Sequence, residues 1–268
     1  MRVPMTVADF LERAEWGFAS DTGVVDEPDQ PGVPVRETTY GQLGERVRAW
    51  QAGLDALGVG ERERVTVVSH NSARLLELLF AVPMSGRICV PVNFRLKPDE
   101  VEYVVQQSGS TVLLVDPELD EALSGVKARH RFVLGEQTET ELMRFGVAPR
   151  PWSAPDEDAT ATINYTSGTT ARPKGVQLTH RNSWVNGMTF AHQGVGARCV
   201  YAHAADVPLH RLGHAIRDGR TGREAGGVAR GDPAPGQPAR RDAHVRRAGC
   251  VEGGAGCGGF MGGRDPWP

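Results

Sequence analysis

Cysteine is scarce in this chain: Cys89, Cys199, Cys250 and Cys257 are the four among 268 residues. That is too few for a disulfide scaffold of this length. None stands in the Cys-x-x-Cys spacing that would point to a zinc ribbon or a thioredoxin-like site. No run approaches the roughly 20 apolar residues needed to span a bilayer as a helix. Asp9, Glu12 and Arg13 break up the region where a signal peptide would carry its apolar core. The net charge of −3 argues against a protein built around nucleic acid or an anionic membrane. What is present is ordinary: 40% hydrophobic and 24% charged residues fit a globular protein of one large domain or two small ones. The expected location is the cytoplasm.

The averages conceal a break near residue 201. From Ala202 to Pro268 lysine is absent, and Gly, Arg, Ala and Pro supply 42 of 67 residues while Ile, Leu, Val, Met and Phe supply nine. So little apolar material cannot offset the entropy of ordering the segment, so residues 202–268 are expected to be a disordered tail. Ten arginines there are diluted by seven acidic residues, with no accompanying aromatic ladder, which disfavours a nucleic-acid tail. A native disordered segment and sequence read out of frame both remain open at this point.

Residues 1–201 read as strand–helix units. Thr39 and Gln42 fit a capping box, and Leu43, Val47, Trp50, Leu54 and Leu57 form an amphipathic stripe that stops at Gly58. Val65 to Val68 predicts a buried strand, and Asn71 and Ser72 offer a cap for a helix carrying Leu75, Leu76, Leu78, Leu79 and Val82. Cys89 to Val92 predicts a second strand. Pro98, Asp99 and Glu100 suit a first helical turn, Ser108 and Gly109 a helix stop, and Thr111 to Val115 a third strand. Asp116 to Asp158 gives a mixed signal and no assigned element. Thr160 to Tyr165 predicts a further strand. The alternation implies an α/β domain with a largely parallel sheet flanked by helices.

That last strand leads into Tyr165-Thr166-Ser167-Gly168-Thr169-Thr170-Ala171-Arg172-Pro173-Lys174-Gly175-Val176. Small hydroxyl residues and glycine after a strand bring backbone N–H groups close to phosphate oxygens. The hydroxyls add donors, and Lys174 adds a flexible positive charge. A solvated Ser/Thr/Gly turn is the plainer alternative, but the density of donors beside a lysine favours phosphate binding. A Walker loop does not fit, because Pro173 and Gly175 flank the lysine where Gly and Ser or Thr would be required.

The Thr-Ser-Gly-Thr-Thr-x-x-Pro-Lys-Gly core at 166–175 resembles the ATP-phosphate loop of the adenylate-forming superfamily of acyl-CoA synthetases, adenylation domains and luciferases. The resemblance continues through Thr179-His180-Arg181-Asn182. Upstream it takes in Thr39-Tyr40-Gly41-Gln42-Leu43, Gly58-Val59-Gly60 and Pro91-Val92-Asn93-Phe94-Arg95-Leu96. It spans roughly residues 5–201, the N-terminal part of a member. Ala171 departs from it, standing where the family usually has glycine; a positive φ there would strain alanine. The resemblance implies the N-terminal part of the adenylate-forming fold. It also implies an ATP-dependent ligase that activates a carboxylic acid, of fatty type, as an acyl-adenylate and passes it to CoA. Ser167, Gly168, Thr169, Thr170 and Lys174 would bind phosphate, and Thr166 would also serve Mg²⁺. His180 would either pack behind the loop or act directly.

The other candidates are plainer. His192, His203, His210 and His214 lack partners at ligand spacing and read as loop histidines, and Cys250 and Cys257 as incidental. Trp184, Val185, Met188 and Phe190 could approach an acyl pocket, though packing of the helix after Asn182 into the core is the preferred reading.

Family members continue with Leu-Pro-Met-Phe-His and later Gly-Trp. Regrouping GC-rich codons of Ala204 to His214 from their second base can give Leu-Pro-Met-Phe-His-Cys-Ile-Gly-Trp-Gly-Met. The same shift turns Phe260 to Trp267 into Ser-Trp-Glu-Gly-Glu-Ile-Pro-Gly. The Trp drawn from Met261 with Gly262, and the Gly drawn from Trp267 with Pro268, are forced by the code. A frameshift between Val200 and Ala204 is therefore expected, leaving a truncated, inactive ligase. An adenylation domain that loads a carrier protein, and a non-catalytic nucleotide-binding module, are the alternatives. Oligomeric state is not legible.

Overall fold

The computed structural model describes residues 3–26, 34–166 and 172–193, all within a unit spanning Met1–Ala225. The expected tail, 202–268, lies outside the described residues. Helix α1 (Ala8–Phe18) precedes a short antiparallel pair, β1 (Thr22–Val25) and β2 (Glu37–Thr39). Then come α2 (Tyr40–Ala56), β3 (Arg64–Val68), α3 (Ala73–Met84), β4 (Ile88–Val92), α4 (Pro98–Ser108) and β5 (Ser110–Val115). They are followed by β6 (His130–Val133), β7 (Thr160–Thr166), β8 (Lys174–Thr179) and α5 (His180–Gln193). The main sheet has the order β6-β5-β3-β4-β7-β8 and is parallel except for β8, which returns antiparallel to β7.

The local signals work as the sequence implies. Thr39 Oγ1 accepts from the Gln42 amide at 3.2 Å, while Gln42 Oε1 accepts from the Thr39 amide at 2.9 Å, so two orphan donors of α2 are satisfied reciprocally. Ser72 caps α3 by accepting from the Leu75 amide at 3.3 Å. Gly109 ends α4 with φ of 62°, a left-handed conformation that costs glycine nothing.

Alternation then splits each central strand between two cores. Val112 and Leu114 of β5 join Val65, Val67, Trp50, Leu54 and Leu78 under α2 and α3. Leu113 and Val115 join Val68, Val90, Val101 and Val104 under α4. Burial on both faces is what a parallel sheet with helices on each side requires.

The first core carries a charged knot. Glu77 of α3, fully buried, accepts from Trp50 Nε1 at 2.7 Å and from Arg46 Nε at 2.6 Å, both on α2. Arg46 and Arg74 each reach Glu139 at 2.9 Å, on a π-helical turn spanning Thr138–Leu142. Burial pushes the Glu77 carboxyl up, with Arg46 and Trp50 opposing it.

Several elements escape the sequence reading, among them α1, β1 and β2, for which it predicts nothing. Strand β6 and the π-helical turn lie in the segment that gives a mixed signal, because β6 is four residues long, half-buried and led by His130 and Arg131. Strand β8 adds an antiparallel edge that strand–helix alternation does not foretell.

Candidate functional site

The carboxyl ends of β3, β4, β5 and β7 share one edge of the sheet. The chain leaving β3 enters α3 on one face, while that leaving β4 enters α4 on the other. In open α/β sheets ligands gather at such a reversal. The His70 ring after β3 lies 4.1 Å from the Phe94 ring after β4. Asp116, buried after β5, accepts from Ser69 Oγ at 3.2 Å and from the His70 amide at 3.4 Å. Sequence reasoning passed over this group. Its signal was a polar residue directly after each of three apolar strands.

Next along that edge, β7 enters the Ser/Thr/Gly segment and β8 leaves it. Ser167, Gly168, Thr169, Thr170 and Ala171 lie outside the described residues. Thr166 and Lys174, which flank them, are directly paired across the β7–β8 ladder, and both are exposed. A cross-strand pair shares one face at a Cβ separation of about 5 Å, so the side chains of Thr166 and Lys174 leave the same face of the hairpin. That fits a phosphate group.

Tyr165 and Gly175 are the preceding pair and face the other way, toward α4. A Cβ on Gly175 would come within 3.2 Å of Tyr165 Cζ and 3.0 Å of Ile163 Cγ2, so the bare glycine gives the ring room. The Tyr165 hydroxyl donates to Gln107 Oε1 on α4. Burial, with Tyr103 nearby, pushes the Tyr165 phenol up. The Arg172 guanidinium sits 5.2 Å from the centroid of the Tyr103 ring.

The Thr179-His180-Arg181-Asn182 run is structural in its geometry. Thr179 Oγ1 accepts from the Asn182 amide, and Asn182 Oδ1 accepts from the Thr179 amide, both at 3.1 Å, which caps α5. Arg181 pairs with Glu157 at 2.6 Å. His180 is 1% exposed; its Nδ1 accepts from the Val7 amide at 3.4 Å, and its ring lies 4.9 Å from that of Trp152. Burial pushes its pKa down to about 4, so the imidazole is neutral, with its proton on an unpartnered Nε2. Of the two roles left open for His180, the geometry supports packing.

Helix α5 corrects two expectations. Trp184 packs as expected, 6.4 Å from the Phe10 ring and donating to Asp9 Oδ2 at 2.8 Å. Val185 and Met188 do not join the core: they are 46% and 39% exposed, because α5 turns toward α1 only the face bearing Trp184 and Gly187. His192 lies on α5 rather than in a loop, since the helix runs to Gln193. The Phe190 side chain, His203, His210, His214, Cys250 and Cys257 lie outside the described residues. Among those described, no cluster of His, Cys, Asp and Glu could hold a metal ion, and no helix is long and apolar enough to cross a membrane.

The class that these features define is an α/β protein with a mostly parallel sheet, whose candidate site is the exposed Thr166–Lys174 pair of the β7–β8 hairpin. More particularly, the AMP-binding enzyme family model matches residues 21–214, and the chain belongs to that family. It is 32% identical over 198 residues to 4-hydroxybutyrate–CoA ligase 2 of Metallosphaera sedula, covering 67% of this chain and 35% of that protein. It is 35% identical over 182 residues to a long-chain-fatty-acid–CoA ligase of Thermus thermophilus, covering 65% and 33%. A solved long-chain-fatty-acid–CoA ligase from Archaeoglobus fulgidus superposes with a TM-score of 0.62 at 27% identity, over 71% of this chain and 40% of that one. The chain thus spans about a third of the length of the curated relatives it matches.

Proposed function

We propose that the protein to which this chain corresponds is an ATP-dependent acid–thiol ligase. It would join a carboxylic acid, of fatty type, to the AMP portion of ATP with release of pyrophosphate, and then transfer the acyl group to the thiol of CoA with release of AMP. The carrying observation is the Thr166–Lys174 pair, exposed at the mouth of a Ser/Thr/Gly segment inside the matched region.

In this reading Lys174 donates to phosphate oxygens and balances charge that grows as the acid's carboxylate attacks the α-phosphate. Ser167, Gly168, Thr169 and Thr170 contribute hydroxyl and backbone donors to the same oxygens. Thr166 offers its hydroxyl to phosphate and to Mg²⁺. Magnesium, when bound, offsets charge on the departing pyrophosphate. Buried His180, at the start of α5, holds residue 7 and transfers no proton.

For this chain we further propose binding of Mg·ATP without turnover, and a frame change between Val200 and Ala204. The regrouped codons support the frame change. ATP–pyrophosphate exchange with a panel of fatty and aromatic acids, beside Mg·ATP titration, tests both activity statements. Binding without exchange is expected. Exchange by this chain alone overturns the inactive reading, and absence of Mg·ATP binding overturns the phosphate assignment. Resequencing codons 195–210 decides the frame.

A further inference from the structure

Building on the phosphate reading, we propose that Tyr103 and Gln107 of α4 are positioning residues that hold both ends of the phosphate-binding segment. Residues four apart lie on one helix face, so the two side chains are neighbours. Gln107 accepts from the hydroxyl of Tyr165, the last residue but one of β7, and Tyr103 receives the guanidinium of Arg172, two residues before β8 begins. The strand entering the segment and the residue leaving it are therefore fastened to one helix.

That helix is a firm support. Val101, Val104 and Val105 are buried in the core beneath it. Its first turn is closed by Glu100 Oε2 accepting from the Lys97 amide at 2.9 Å, and Gly109 ends it. Gly175 leaves the Tyr165 ring its room. Holding Tyr165 and Arg172 on one helix fixes the strand ends that carry Thr166 and Lys174, so these two need less ordering when phosphate binds, which strengthens binding without a new contact to the ligand. It also divides the cations. Arg172 is committed to an aromatic face, and Lys174, paired with Thr166, carries the charge offered to phosphate.

The test uses the full chain with Tyr103→Leu, which keeps apolar bulk but removes the ring, and Tyr103→Phe, which keeps the ring. Hydrogen exchange at Tyr165, Thr166 and Gly175 is followed against β5 amides as an internal reference, and Mg·ATP binding by calorimetry. The leucine variant should speed exchange at those sites but not in β5, and weaken binding about two- to fivefold, the span of an exposed cation–π contact. The phenylalanine variant should restore both. Unchanged exchange in the leucine variant, or a phenylalanine variant that behaves like it, overturns the clamp. Parent-level binding by the leucine variant overturns the positioning role alone. A parent chain that binds no Mg·ATP overturns the phosphate reading, and the positioning role with it.

Discussion

Strands β3, β4 and β5 are buried from their second or third residue onward, whereas β7 keeps one buried residue, Ala161, and β8 none. The central strands are Val- and Leu-rich and packed on both faces. The hairpin spends its residues on Thr166, Lys174, Tyr165 and Gly175, chosen for donors, charge and clearance. If the hairpin holds phosphate as proposed, stability and ligand chemistry occupy neighbouring strands of one sheet, and substitutions in the two places should separate them. A core change should cost folding free energy wherever a ligand binds. A hairpin change should alter binding and leave unfolding nearly untouched.

The largest effect is expected at Glu77. Glu77→Ala leaves Arg46 without its buried carboxylate and the Trp50 indole N–H without an acceptor. Breaking a buried pair from one side costs about 3–5 kcal/mol, to be read as a lower urea midpoint with an unchanged slope. A loss below about 1 kcal/mol would mean that Glu139 takes over Arg46, and that the knot is less central to the core than its burial implies.

Next comes acid sensitivity at His180, which directly follows β8. Folded, it protonates near pH 4; unfolded, near 6.5. Between those values the unfolded chain binds the extra proton, so stability falls as pH drops from 6.5 to 4 and this loss is complete below 4. The amount is roughly 3 kcal/mol. Although burial works against it, hydrogen bonds from Arg87 and Arg150 hold the Asp55 carboxyl below its usual range, and Arg46 and Arg74 do the same for Glu139. Those two lose stability only below about pH 4.5, under their ordinary values. Glu77, raised by burial, acts in the opposite sense above its ordinary value. His180→Gln should therefore flatten the upper part of the acid limb, between pH 6.5 and 4.5. An unchanged limb there would assign it to another group.

The central sheet was legible because apolar periodicity and capping residues agree. Thr39 with Gln42, Ser72 and Gly109 mark ends that the structure places within a residue or two. The hairpin was legible only in its chemistry. The motif singled out Thr166 and Lys174, yet no local pattern says that they face each other, because cross-strand register is set by a pairing eight residues apart. The proposed clamp from α4 was hidden for the same reason: Tyr103 and Gln107 look like ordinary positions on an amphipathic helix until Arg172 and β7 are laid beside them. Strand β6 failed through its edge position, where His130 and Arg131 replace the valines that mark β3 to β5.

The smallest expected effect makes the comparison sharpest. Lys174→Ala removes an exposed ammonium that makes no ion pair among those described. Its effect on unfolding should stay within about 0.5 kcal/mol. Its effect on Mg·ATP should be about tenfold, or 1.4 kcal/mol, since a charge-assisted donor to phosphate is lost from a site open to water. An exposed charge is screened, so the gap between parent and variant should narrow as salt rises from about 0.05 to 0.5 M. Equal affinities at low salt would leave Lys174 a solvated charge and place phosphate binding on hydroxyls and backbone alone. A large stability loss would be the more damaging result, because it would show the hairpin supporting the sheet and erase the division between the two regions.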